Sequence, residues 1–292
     1  MSTSLKSHGA TAYPKARRMR FRFGAPDPKN RHYVQGDIVM SHLVALLSSA
    51  FPPGEESFIR SVRRFSDRIT DPVLKKRVAG FIGQEAMHGQ QHRELNDQLI
   101  RMGYTLVRIP AFGADSRREQ AVIRVENLIP ARLHLAGTAA AEHYTATLAR
   151  RLLTSPELQA LPGDPEVHNL LNWHALEELE HKAVAFDVYR AVGGTERMRI
   201  TVMLLPYLGA IPLVSLAVAL SIALDPSGWH PIEVARQAVD VLRGPLVKGL
   251  TAEVGEYLRP GFHPDDIDTE ALVRHWQREL FGADGELLDR VR

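Results

Sequence analysis

The chain has 292 residues, 45% hydrophobic and 24% charged, the composition of a globular protein and not of a disordered one. It has no cysteine, which excludes disulfide scaffolds, thiolate zinc sites and cysteine nucleophiles. Of 36 Lys and Arg and 34 Asp and Glu, residues 1–36 hold eight basic side chains against Asp27 alone, leaving 28 basic and 33 acidic residues behind them.

The basic N-terminal arm, 1–36, contains RRMRFRF at 17–23, alternating basic with apolar residues as an edge strand or an extended arm does. It reads as an arm packed on an acidic body. It carries no recognised nucleic-acid motif, so no nucleic-acid partner is expected. The start of the chain also lacks the pattern of a secretory signal, which predicts a cytoplasmic protein. Asp37 can cap a helix beginning IVMSHLVALL, which Pro52 and Pro53 kink or interrupt. Beyond them Glu55, Phe58, Ile59, Val62, Phe65 and Ile69 share one face, and Glu56 lies about 100° away.

Asp71–Pro72 is a cap followed by Pro in the first turn. From there Leu74, Val78, Phe81, Glu85, His88, His92, Leu95 and Leu99 form one inward seam, polar only at its centre. Residues 101–117 suit a long crossover. A helix from Arg117 to Leu153, bent at Pro130, carries Glu142 directly after the small-residue run Gly137 to Ala141. Asp164–Pro165 opens a helix whose seam is Val167, Leu171, His174, Glu178, His181, Ala185 and Val188, ended by Gly193–Gly194. Ile200 to Leu224 holds no charged residue and contains Pro206 and Pro212. That stretch suits two short buried helices or a hydrophobic dimer contact better than a membrane contact, which stays as the other option. Short amphipathic helices and turns fill 226–292.

Two Glu-x-x-His steps, Glu85–His88 and Glu178–His181, carry the chemistry. Residues three apart share a helix face, so each step aims a carboxylate and an imidazole at one spot. With Glu55 before the first step and Glu142 between the two, this is the donor set of carboxylate-bridged di-metal bundles. Buried without a cation, such carboxylates would be strongly unfavourable. His174 shares the face of Glu178 and His181, and is either a further ligand or a partner of a ligating carboxylate. His92 suits a supporting or cavity role, and Tyr144 suits the cavity lining or packing. Glu177 and Glu180 are expected to project elsewhere, solvated or paired. The fold expected is all-α, a ferritin-like four-helix bundle over 37–195 with a long crossover. The apolar segment and C-terminal helices, 196–292, pack on it in a single domain.

FPPGEESFIRSVRRFSDRITDP, FIGQEAMHGQQH, AAAEHYTA, WHALEELEHKAVAFDVY and RPGFHP together resemble the bacterial family of predicted metal-dependent hydrolases, from about Arg20 to Trp276. More distantly the pattern is similar to ferritin-like di-iron oxygenases of the p-aminobenzoate N-oxygenase type. Those carry an additional His where His174 stands. The resemblance implies Glu55, Glu85, His88, Glu142, His174, Glu178 and His181 as ligands of two metal ions, iron or else manganese. The leading expectation is a di-iron oxidase or oxygenase that uses dioxygen on a small, apolar, lipid-like substrate. The alternative is a binuclear metal-dependent hydrolase. Homodimer formation and peripheral membrane contact through 200–224 are the further partner expectations.

Overall fold

Start signals in the sequence become helix caps. The Asp37 carboxylate accepts from Met40 N and opens α1 (Ile38–Arg63), and Asp71 accepts from Val73 N and opens α2 (Pro72–Arg101). In the computed structural model, which describes residues 13–24, 30–110, 116–161 and 163–292, the protein is all-α. The part of the basic arm before Tyr13, its residues 25–29 and the crossover at 111–115 lie outside the described residues.

α1 runs unbroken through Pro52 and Pro53. Pro52 has no N–H to give to Ser48 four residues earlier. Asn96 of α2 supplies the missing bond, its Nδ2 donating to the Ser48 carbonyl oxygen at 3.0 Å. The single helix expected from Arg117 is instead two, α3 (Arg117–Leu128) and α4 (Ala131–Thr154). Ile129 precedes a proline and is extended, at φ −77° and ψ 129°, so the helix stops there. A short α5 (Pro156–Gln159) leads to α6 (Pro165–His181), capped by Asp164. The helix expected to continue to Gly193 is also divided. α6 ends at His181, where Lys182 donates to the Ile267 carbonyl oxygen (2.5 Å), and α7 (Val184–Ala191) follows.

The helices α8 (Glu196–Ala223), α9 (Pro231–Arg243), α10 (Leu250–Gly255) and α11 (Glu270–Phe281) complete the chain. α8 corrects the expectation of two short buried helices. It is one helix with both prolines inside it, and only Arg199, Met203, Val218, Ser221 and Ile222 of it are buried. Leu205, Leu208, Leu213, Leu216 and Leu220 are exposed, Leu205 by 81%.

The arm does pack on the body. Met19 and Phe21 are buried, Arg20 N donates to Arg290 O at 3.0 Å, and Arg292 N donates to Arg18 O at 2.9 Å. Two apolar clusters form the core. One joins Val39 and Leu43 of α1, Leu95 and Leu99 of α2, and Leu170, Trp173 and Leu176 of α6. The other joins Val62, Val78, Phe81, Leu135 and Ala139 with Val184 and Val188 of α7. On α1, α2 and α4 the acidic and imidazole residues fall between the parts assigned to each cluster. The functional layer is therefore a polar slice between two apolar ones.

Candidate metal centre

Four helices each point donors into this slice. α1 supplies Glu55, α2 supplies Glu85 and His88, α4 supplies Glu142, and α6 supplies His174, Glu178 and His181. All seven side chains are buried. Six of them form two groups, Glu55 with His88 and His174, and Glu85 with Glu178 and His181, and Glu142 stands beside the second. Within each group, one donor atom per residue lies within 4.8 Å of the others.

Glu178 joins the groups. Its Oε1 lies 3.0 Å from His174 Nε2, 3.5 Å from His181 Nε2 and 3.8 Å from His88 Nδ1. His181 Nε2 also lies 3.0 Å from Glu85 Oε1 and 3.4 Å from Glu142 Oε2. Glu55 Oε1 lies 3.7 Å from His174 Nε2. Gly89 makes room for this carboxylate, since a Cβ there would stand 3.1 Å from Glu55 Oε2. Both oxygens of Glu55, Glu85 and Glu142, with Glu178 Oε2, His88 Nδ1 and His181 Nε2, are buried without a hydrogen-bond partner in the protein. Inward-facing lone pairs left this way are costly unless a cation satisfies them. The donor set fits divalent metal ions.

Outward-facing nitrogens are satisfied. His88 Nε2 lies 3.0 Å from Glu177 Oε2, and His181 Nδ1 lies 3.0 Å from Gln84 Oε1. His174 Nδ1 lies 2.7 Å from His92 Nε2, whose Nδ1 meets Ser48 Oγ at 2.9 Å, and that hydroxyl donates to Asn96 Oδ1 at 2.7 Å. One tautomer assignment satisfies every link. Each of His88, His174 and His181 donates outward and keeps its lone pair for the centre.

Electrostatics describe a site held together by protons that cations can displace. Burial, aided by neighbouring carboxylates, pushes Glu55 well above the ordinary carboxylate range, Glu85 up to about 8 and Glu142 up to about 7. Burial also acts to raise Glu178, but the His181 charge and the neighbouring His174 overcome it and hold Glu178 well below its usual value. His181 is pushed down by burial yet raised overall by Glu178, Glu142 and Glu85. Burial and the adjacent His174 lower His88 and His92.

His92 therefore stands behind His174, and Phe51 packs on both rings, at 4.7 and 4.6 Å between centroids. Of the two roles open to Tyr144, packing is the one seen: its hydroxyl donates to the Pro206 carbonyl oxygen at 3.3 Å, and it is not among the residues that line the cavity. Of the two outcomes expected for Glu177 and Glu180, solvated or paired, the structure shows the second. Glu177 is fully buried behind His88, and both pair with Arg17, at 2.7 Å in each case. Sequence reasoning missed Glu177, Gln84 and Arg17. The signal available was the excess of base in the arm and of acid in EELE. A further group, His32, His42 and Asp225, lies apart, and there the Arg31 guanidinium already sits 2.7 Å from Asp225 Oδ1.

A cavity of about 160 Å³ leads to the centre between α1, α4 and α6. Leu43, Leu47, Leu148, Leu152 and Leu171 form its walls, His174 and Glu178 lie among its few polar lining groups, and exposed Gly163 stands at its edge.

Fold and site together define an all-α protein with buried His and Glu groups able to hold metal ions. Residues 15–268 match the family described as predicted metal-dependent hydrolase, and the chain belongs to that family. No curated protein and no solved structure matches it significantly. The family description supports a metal-dependent enzyme and favours the hydrolase alternative. It gives no support to the expected oxidase chemistry, to iron or to dioxygen.

Proposed function

We propose that the chain is a binuclear metal-dependent hydrolase acting on a substrate with an apolar ring or short acyl chain. The observation that carries this is the pair of adjacent donor groups at an apolar cavity, with Glu178 of one lying 3.0 Å from His174 of the other, in a chain of this family. In this reading the core of the site is a ferritin-like arrangement of α1, α2, α4 and α6. Glu55, His88 and His174 would hold one ion and Glu85, Glu142 and His181 the other, with Glu178 close to the imidazoles of both sets. When bound, two divalent ions supply Lewis acidity at a substrate oxygen and at water, and clamp both.

The protein's own residues do the rest. The leucine walls hold the apolar part of the substrate and align its polar end with Glu178 and His174. A volume near 160 Å³ is comparable with the ~150 Å³ engineered cavity that takes up benzene, which sets the scale of the group admitted. The path His174 Nδ1–H to His92, His92 to Ser48 and Ser48 to Asn96 fixes the tautomer that leaves His174 Nε2 free.

One observation favours a second reading, oxidation of the same apolar substrate with dioxygen at two iron ions. The centre is rich in carboxylate and faces a cavity walled mainly by leucine and valine, which limits the access of water. A single set of experiments separates the two. Protein loaded anaerobically with Fe(II), and separately with Zn(II) or Mn(II), is given p-nitrophenyl esters of increasing chain length, and oxygen uptake is followed in parallel. Hydrolysis that rises with chain length to about six carbons and is lost in Ala149→Phe, which fills the cavity, supports the first reading. Stoichiometric oxygen uptake by the Fe(II) form without ester turnover supports the second.

A further inference from the structure

We infer that Arg17, on the N-terminal arm, is a positioning residue for both halves of the metal centre, and that the arm clamps the site by delivering it. The inference rests on the two-ion reading above and concerns residues that touch no metal.

The outward hydrogen bonds of two of the three inward-facing imidazoles converge on this one guanidinium. His88 Nε2 bonds Glu177 Oε2, and Glu177 Oε1 accepts from Arg17 Nη1 at 2.7 Å. His181 Nδ1 bonds Gln84 Oε1. Gln84 Nε2 donates to Glu180 Oε2 at 2.7 Å, and Glu180 accepts from Arg17 Nη2 at 2.7 Å and from Nη1 at 2.9 Å. Two branches, one to each donor group, thus leave a single planar fork, whose geometry suits two carboxylates at once. The Arg17 side chain is only 11% exposed, with its guanidinium 4.7 Å over the Phe281 ring of α11, so the fork is fixed by packing as well as by charge.

The sequence builds a seat for the arm. Gly80 and Gly83 lie one turn apart on α2, just before Gln84. A Cβ on Gly80 would stand 2.1 Å from the Pro14 carbonyl oxygen, and one on Gly83 would stand 2.8 Å from Ala16 Cβ. The arm at Pro14–Ala16 therefore lies directly on the α2 backbone, and the next residue is Arg17. Without this cation Glu177 and Glu180 would be two uncompensated carboxylates side by side. With the fork gone neither carboxylate is held in place, and the imidazole that each orients, His88 directly and His181 through Gln84, is freed to turn.

The test uses Co(II) uptake by the full chain, read as stoichiometry, dissociation constants and visible absorption. Wild type is expected to bind two Co(II). Arg17→Ala is expected to weaken both ions by roughly 10–100-fold, the range for lost supporting partners, and to change the band shape. Arg17→Lys, which keeps charge but loses the fork, should fall between. Glu180→Gln should weaken one ion only. Gly80→Ala favours the helix by propensity yet lifts the arm, and should reproduce Arg17→Ala while circular dichroism shows an intact fold. It keeps the test open if Arg17→Ala does not fold. Wild-type affinities and spectra in both Arg17→Ala and Gly80→Ala overturn the inference. Absence of Co(II) uptake by wild type overturns the two-ion reading itself, and is recognised because no variant is needed to see it.

Discussion

The slice between the two apolar clusters and the outer face of α8 have exchanged the usual roles of inside and outside. Where the protein is most buried it gathers carboxylates and imidazoles, and where it is most exposed it presents leucines. Glu85, Glu142 and Glu178 are nearly inaccessible, while Leu205 and Leu208 are 81% and 69% exposed. Neither arrangement is stable for its own sake. Buried charge needs a counter-ion, and an exposed apolar face gains nothing from water. Each inversion leaves a requirement that the chain's own side chains do not meet: a cation would satisfy the first, and an apolar surface would cover the second.

The largest effect should come from the shared carboxylate. Glu178→Ala is expected to abolish loading of two ions, measured by metal analysis after dialysis against Co(II) or Fe(II), because it removes a donor close to all three imidazoles. Retention of two ions by this variant would show that Glu178 does not join the two donor groups.

A pH effect comes next. Glu85 and Glu142 are raised to about 8 and about 7 from an ordinary 4.5, so the folded metal-free protein holds protons there that the unfolded chain has released. Their contribution to stability is complete below about 4.5 and is lost as pH rises through 7 to 8. His181, also raised, acts in the same direction. The lowered His88 and His92 act oppositely, but only below their unfolded value of 6.5. Between pH 6.5 and 8, metal-free protein should therefore lose several degrees of melting temperature. Metal binding must displace the same protons, so the stabilisation by added metal should grow across that window. A metal-induced shift in melting temperature that is flat from pH 6.5 to 8 would show that the cations do not replace these protons.

Much of the slice was legible in the sequence because helical period and polarity disagree there. His88 and His181 occupy seam positions where a core asks for leucine, and the seams of α2 and α6 come out buried nearly residue for residue. Glu177 was not legible in the same way. It lies one position, or about 100°, from Glu178, which suggests another face. It is buried because the arm covers that face, and contact across 160 residues leaves no mark on local period. The helix end at His181 was hidden for a similar reason, since it involves Lys182 reaching Ile267, whereas the end at Ile129 was marked locally by Pro130. α8 misled in the other direction. An uncharged run with two prolines reads as buried by composition, yet only its Met203, Val218 and Ile222 side meets the body.

A smaller effect sharpens the comparison at Gly89. Gly89→Ala puts a methyl group 3.1 Å from Glu55 Oε2 without opening a cavity, and should move that carboxylate by a few tenths of an ångström. The expected result is a several-fold loss of affinity for one ion, the one near Glu55, His88 and His174, with the fold retained. Equal weakening of both ions in a Co(II) titration would show that the two groups do not act as separate sites.

The smallest effect on the fold should come from the outer face. α8 has a mean hydropathy of 2.1 over its most apolar 18 residues, of which only 11% are buried, and exposed Trp229 and Ile232 follow its end. Replacing Leu205, Leu208, Leu213 and Leu216 together by Ser removes exposed side chains, so it should change the melting temperature little while leaving metal content unchanged. The same change should abolish any flotation of the protein with anionic lipid vesicles. If wild type does not float but sediments as a dimer that the four serines dissociate, the apolar face belongs to a second copy. A monomer that ignores vesicles would leave the inversion at α8 without a partner, and the likeness drawn between the two regions would fail there while standing at the metal centre.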